Sequence, residues 1–167
     1  MFRTLLIIVL LLITTHASEI KHDPDFIKSV YIEKISRFLT WPDYKEKSDE
    51  FHLCTTSDTS MEKYLFRVYG YRKIKNKRTI VTKITDLDEA KKCHILHINS
   101  SNVDQALFLK EYAVLLIGSS DGLEQKSIHF NFFDEGERVR FWVNPKAYKN
   151  FDVKVNHQLF SIAKIVK

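Results

Sequence analysis

The sequence predicts an α/β fold: a mostly parallel sheet of five or six strands, flanked by helices, with an antiparallel C-terminal hairpin. Three observations carry that expectation. Apolar, β-branched stretches alternate along the chain with stretches of helical spacing. Residues 113–118, Ala-Val-Leu-Leu-Ile-Gly, form an unbroken apolar run ending in glycine, the pattern of a strand buried on both faces. Two strand-like stretches, 128–133 and 139–144, flank a short Gly-containing link at 134–138, which is a hairpin signal.

Residues 25–39 read as the first helix. Phe26, Val30, Ile35 and Phe38 recur near helical spacing, Ile27, Tyr31 and Leu39 widen the apolar side, and Asp23 or Asp25 caps the start. Trp41-Pro42 ends it, because a proline disfavours helical geometry in the residue before it. Residues 44–50 form a charged connection to a short buried strand at 51–56. Ser57, Asp58 and Thr59 are cap residues for a second helix reaching Val68, and Gly70 punctuates. Residues 79–85 alternate and are rich in Ile, Val and Thr, hence a strand. After a polar link at 86–92 comes a strand at 94–99, then a third helix capped by Ser100 or Ser101 and reaching Tyr112. Residues 155–166 read as a terminal helix with Leu159, Phe160, Ala163 and Ile162 or Val166 inward.

The N-terminus sets the compartment. Arg3 is followed by nine apolar residues, 5–13, and then by Thr14, Thr15, His16 and Ala17. A positive start, a short apolar run and a small residue make a secretory signal. A spanning helix needs ~20 apolar residues. The expectation is therefore a signal peptide over residues 1–17, a single domain over 18–167, and no stable membrane insertion after cleavage. An uncleaved anchor would also leave the remainder outside the cytoplasm.

Lys and Arg outnumber Asp and Glu by 26 to 21. That surplus suits a weak attraction to an anionic membrane surface without demanding one. The densest cations are Arg72, Lys73, Lys75, Lys77 and Arg78. Nucleic acid is a poor partner for an exported chain, and the simpler reading is a solvated loop leading into a strand.

Cys54 and Cys93 are the two cysteines. Export makes a disulfide between them the expectation. A two-Cys, two-His metal site from Cys54, Cys93, His52 and His97 is the competing arrangement, since strand alternation puts Cys93 with His97 and His52 with Cys54. It needs thiolates, which a disulfide does not offer. No cofactor is expected. The four glycines form neither a dinucleotide fingerprint nor a phosphate loop, and Cys93-His94 is only the tail of a haem attachment motif. Ser119 and Ser120 follow a strand end, where α/β proteins often bind ligands, but lack the nucleophile turn. Arg138 and Arg140 share a strand face with Trp142. That face is either a platform for an anion or aromatic ligand, or an edge strand protected by charge.

Several of these pieces occur together in one family. Trp41-Pro42 after the first helix, the cysteine in FHLCTT and the second in CHILHIN resemble the YfiR family of periplasmic proteins. So do AVLLIGSSDG, the hairpin strand residues Ile128 and Phe130, the F-x-x-N pattern of Phe141 and Asn144, and the closing Leu159 and Ala163. Two features depart from it: Gln125-Lys126-Ser127 replaces a frequent Gly-Gly pair, and Pro145 follows the Asn. The family's further cysteines are absent.

The resemblance implies a non-enzymatic periplasmic domain that holds an inner-membrane diguanylate cyclase inactive by binding its periplasmic sensor domain. Release then raises cyclic di-GMP, a disulfide keeps the inhibitor folded, and homodimers occur. Two other classes remain as alternatives. One is a small-ligand-binding module serving a sensor kinase or outer-membrane receptor, with a pocket near Ser119, Ser120, Arg140 and Asn144. The other is a hydrolase or metal enzyme using His94 or His97.

Overall fold

A computed structural model of the chain describes residues 23–56 and 60–166. The predicted signal peptide and the predicted caps Ser57, Asp58 and Thr59 lie outside the described residues. Asp23 starts helix α1 (Pro24–Ser36) by accepting from the Asp25 N–H at 2.9 Å. A two-residue strand β1 (Leu39–Thr40) and a one-turn helix α2 (Asp43–Glu46) lead to strand β2 (Glu50–Thr55). Helix α3 (Ser60–Tyr69) and the hairpin of β3 (Lys73–Ile74) and β4 (Lys77–Lys83) follow. Strands β5 (Ile95–Ile98) and β6 (Leu115–Gly118) are buried at every residue. Strands β7 (Phe130–Glu135) and β8 (Arg138–Val143) form the expected antiparallel hairpin.

The sheet order is β10-β8-β7-β6-β5-β2-β4-β3, with β10 formed by Lys164–Ile165. All its neighbours run parallel except β3/β4 and β7/β8. The sheet is thus mixed and mostly parallel, as predicted, but eight-stranded rather than five- or six-stranded. A separate antiparallel ribbon joins β1 to β9 (Lys154–Val155).

Alternation sorts side chains into two cores. Leu53, Ile95, Leu115, Ile117 and Phe130 pack with α1 and α3. Cys54, Leu96, Leu116 and Ile128 pack on the other face beneath a layer of short turns. In that layer the predicted third helix is broken: a 3-10 turn at Ser100–Asn102, one α turn, α4 (Val103–Ala106), and a 3-10 turn at Leu107–Tyr112. Ala113 then adopts a left-handed conformation at φ 52°, turning the chain into β6.

The predicted helix over 155–166 does not form. Only α5 (Gln158–Ser161) is helical; Lys164 and Ile165 pair instead with Trp142 and Val143 of β8. The outer edge of β8 supplies hydrogen-bond partners to this terminal backbone, as from the Val166 N–H to the Val143 carbonyl at 3.0 Å. Edge pairing therefore overrides the helical spacing of Leu159, Ile162 and Ala163.

Candidate functional site

The Cys54–Cys93 disulfide crosses from β2 to a residue two positions before β5, with a Cα–Cα distance of 6.0 Å. Both residues are fully buried in the second core. The bond consumes both thiolates of the two-Cys, two-His metal arrangement. The alternation assumed for residues 93–97 also fails at its start. Cys93 ends a 3-10 turn (Leu87–Lys92) and lies on the Cys54 side, whereas His97 faces the α1 side, near Asp25 and Lys28. Regular strand begins only at Ile95.

His94 and His97 are buried and hydrogen-bonded. The His94 ring stacks on Phe51 at 4.4 Å, its Nδ1 accepts from the His52 N–H at 3.1 Å, and its Nε2 lies 3.3 Å from the Lys45 carbonyl. His97 Nδ1 lies 3.2 Å from the Thr55 hydroxyl and Nε2 3.0 Å from the Ser119 hydroxyl. Burial pushes both imidazoles down to about 4, so they are neutral at pH 7. Sequence reading missed Lys45. Its Nζ enters beneath the sheet to donate to the Cys93 and Ala113 carbonyls, and burial pulls its ammonium down to about 7. A lysine in a charged connection gives no sign of burial; only the three-dimensional path of α2 does.

The hairpin presents the other predicted residues. Gly136, at φ 62°, takes the first position of the two-residue loop between Glu135 and Arg138, where a primed hairpin turn needs positive φ. Val139, Phe141 and Val143 point into the core, which leaves Arg138, Arg140 and Trp142 on the opposite face. There Trp142 stacks on Phe133 at 5.4 Å, and Lys164 Nζ sits 4.9 Å and 5.6 Å from the two ring centroids. Glu135 pairs with Lys164 and, at 3.3 Å, with Arg140. The Lys164 hydrogen bond, foremost, holds the Glu135 carboxyl below its ordinary range.

Ser119, Ser120 and Asn144 do not join that face. Ser119 bonds His97, and the Ser120 carbonyl accepts from Asn131 Nδ2 at 2.9 Å. Asn144 lies at the far end of β8: its Oδ1 caps the 3-10 turn Pro145–Tyr148 by accepting from the Lys146 N–H, and its Nδ2 donates to the Lys126 carbonyl. That is a structural reason for an Asn three residues after Phe141.

Beside the hairpin runs an open sheet edge. The Val143 carbonyl faces outward to Val166, so by the two-residue strand period Val139 and Phe141 also turn their backbone outward. Among the described residues β10 covers this edge only at Trp142 and Val143. Two grooves flank it. One, of about 270 Å³, is lined by Ile27, Tyr31, Glu137, Arg138, Val139 and Arg140. The other, of about 310 Å³, is lined chiefly by Tyr31, Lys34, Arg37, Phe38, Phe141 and Ile162.

Fold and surfaces together define a disulfide-braced α/β domain with an aromatic hairpin of mixed charge beside an open strand edge. By sequence, the chain belongs to the YfiR/HmsC-like family, which it matches over residues 26–164. Among solved structures it is similar to a conserved domain protein of Vibrio cholerae O1 biovar El Tor, at 9% identity and a TM-score of 0.53. That match covers 86% of this chain but only 60% of the other, and at such low identity it shows shared fold alone. No curated protein matches the chain by sequence.

Proposed function

We propose that the protein is a non-catalytic periplasmic regulator that binds the periplasmic sensor domain of an inner-membrane diguanylate cyclase and restrains it. The observation that carries this reading is the YfiR/HmsC-like match, which spans nearly all of the described chain. The buried disulfide supports it, because such bonds persist in oxidising compartments. So does a leader of signal-peptide pattern over residues 1–17. The contact surface is the hairpin face of Arg138, Arg140 and Trp142. Arg and Trp are the residue types that dominate binding energy at interfaces. The restraint is a population shift: binding one state of the sensor domain more tightly stabilises that state. Neither nucleic acid nor a cofactor enters this scheme; a homodimer is compatible with it.

The test is genetic and biochemical together. Deleting the gene raises cellular cyclic di-GMP, the wild-type gene restores it, and the purified protein binds the isolated sensor domain of the cyclase. Unchanged cyclic di-GMP together with no binding would remove the proposal.

A second reading, a small-ligand module serving a sensor kinase or outer-membrane receptor, rests on the mostly apolar groove of about 310 Å³ beside Phe141. That volume is at the small end for ligand sites. A ligand that binds the native state must raise the melting temperature, so thermal shifts against nucleotides and amino acids decide it.

A further inference from the structure

The opposite edge of the sheet is charged in a different way. Between Glu62 and Asp86 the chain carries eight basic residues and no acidic one, against a whole-chain net charge of +5. The rest of the chain is therefore net acidic. Four of the eight turn inward or are paired. Lys75 Nζ donates to the Leu39 carbonyl at 2.8 Å and pairs with Glu46 at 3.0 Å. Lys77 donates to the Glu46 carbonyl, and Lys83 pairs with Glu62 at 3.5 Å. Arg67, Arg72 and Lys73 are exposed, and Arg78, with 75% of its side chain exposed, reaches Glu50 at 3.8 Å.

Two large aromatic side chains stand among these cations. Tyr71 is 79% exposed and Phe66 is 42% exposed. They border an open groove of about 600 Å³ between α3 and β4, which Arg72, Lys73, Arg78 and Ile80 also line. Charged edge strands commonly block sheet-to-sheet pairing, which accounts for Lys73. It does not account for Tyr71 and Phe66, which expose apolar surface at the same place.

We propose that this α3–β3–β4 edge is a docking surface for an anionic phospholipid bilayer. Charge complementarity favours it: the cations are spread over a helix face and a strand edge, as a plane of headgroups requires, rather than converging on one point. Exposed aromatics beside Lys and Arg suit the headgroup layer, where amphipathic rings settle. β3 and β8 lie toward opposite ends of the sheet order, so docking here leaves the hairpin face turned to a partner. The surface is separate from the partner contact proposed above, and either can fail without the other.

The protein purified from cells is floated with vesicles of phosphatidylcholine alone or with about one third phosphatidylglycerol, at about 0.05 M and 0.5 M salt. Wild type binds the phosphatidylglycerol vesicles at low salt, is released at high salt and ignores the neutral vesicles. Arg72→Glu with Lys73→Glu weakens binding by roughly tenfold or more, at roughly fivefold in affinity per charge lost near the surface. Tyr71→Ser weakens it further, and the same charge change at exposed Lys146 and Lys149 leaves most of it. Three results overturn the proposal: no wild-type binding to anionic vesicles, equal loss in the Lys146/Lys149 variant, or binding to polyglutamate but not to vesicles. The wild-type arm decides even where a variant fails to fold.

Discussion

Cys54 on β2 and Cys93 at the threshold of β5 are joined by a disulfide that no solvent reaches, both residues being fully buried. Their separation of 39 residues closes a loop that contains α3, β3 and β4. On a chain-entropy account such a crosslink contributes about 4 kcal/mol, a large fraction of the ~5–15 kcal/mol typical of a domain. Cys54→Ala with Cys93→Ala is therefore expected to lower the melting temperature by about 10 °C, followed by circular dichroism. Burial adds a second expectation. Reductant alone leaves the bond intact in the native protein, and free thiols appear only once denaturant opens the core.

The Tyr69 hydroxyl ties α3 to α1. It donates to the Ser29 carbonyl at 2.7 Å and accepts from the Glu33 N–H at 3.1 Å, in a ring that is 1% exposed. Tyr69→Phe keeps the ring and removes both bonds, while Ser29 and Glu33 stay four residues apart within α1 and keep each other as helical partners. The expected cost is about 0.5–1.5 kcal/mol, read as a lower urea midpoint with an unchanged slope.

Acid acts through the buried histidines. His94 and His97 are held down to about 4 by burial, against about 6.5 in the unfolded chain. Between those values the unfolded state binds more protons than the folded state, so stability rises with pH across the window and falls on acidification. Each site contributes on the order of 3 kcal/mol over the full window. His129, also pushed down by burial, acts in the same direction. Urea midpoints are expected to fall steadily from pH 6.5 to pH 4, and His97→Gln to flatten that slope.

The central sheet was legible because its signal is one of composition. A run such as residues 113–118 has no polar residue to place on a solvent face, so burial on both sides follows. The hairpin was legible because Gly136 sits where only a positive φ closes the turn. Disulfide pairing followed from two cysteines and the expectation of export. Other elements were set by tertiary partners instead. Lys164 and Ile165 join β8 because an edge was free, and β1 pairs β9 over two residues, too few to leave a pattern. The ligand pocket expected from Ser119, Ser120, Arg140 and Asn144 drew on residues from both ends of the strands. Chain order alone does not reveal that the antiparallel turn of β8 carries Asn144 away from Ser119.

Gly118 tests how tightly β6 and the hairpin are fitted. It ends β6 beside Asn131 of β7, and a Cβ there would lie 2.5 Å from Leu123 Cδ1, 2.9 Å from Asn131 Oδ1 and 3.0 Å from Ile128 Cδ1. All three neighbours are buried, so they yield only by disturbing their own contacts. Gly118→Ala is expected to cost about 1–3 kcal/mol of stability, as overpacking does, and Gly118→Val more. A variant as stable as wild type by urea titration would show that this junction has slack.

Arg138 and Arg140 separate binding from folding. Both are exposed, and the 3.3 Å pair of Arg140 with Glu135 sits in solvent, where such pairs contribute about 0–1 kcal/mol. Removing both guanidinium groups leaves Phe133, Trp142 and Lys164 stacked, because those contacts do not pass through either arginine. Arg138→Ala with Arg140→Ala is thus expected to keep its urea midpoint close to that of wild type. If the hairpin face is the partner contact, the same variant loses tenfold or more in affinity for the cyclase sensor domain, roughly the loss of one interface anchor. Calorimetry on the purified pair reads that loss directly. Wild-type affinity in the double variant would move the contact elsewhere, with the open edge at Val139 and Phe141 next to be tested.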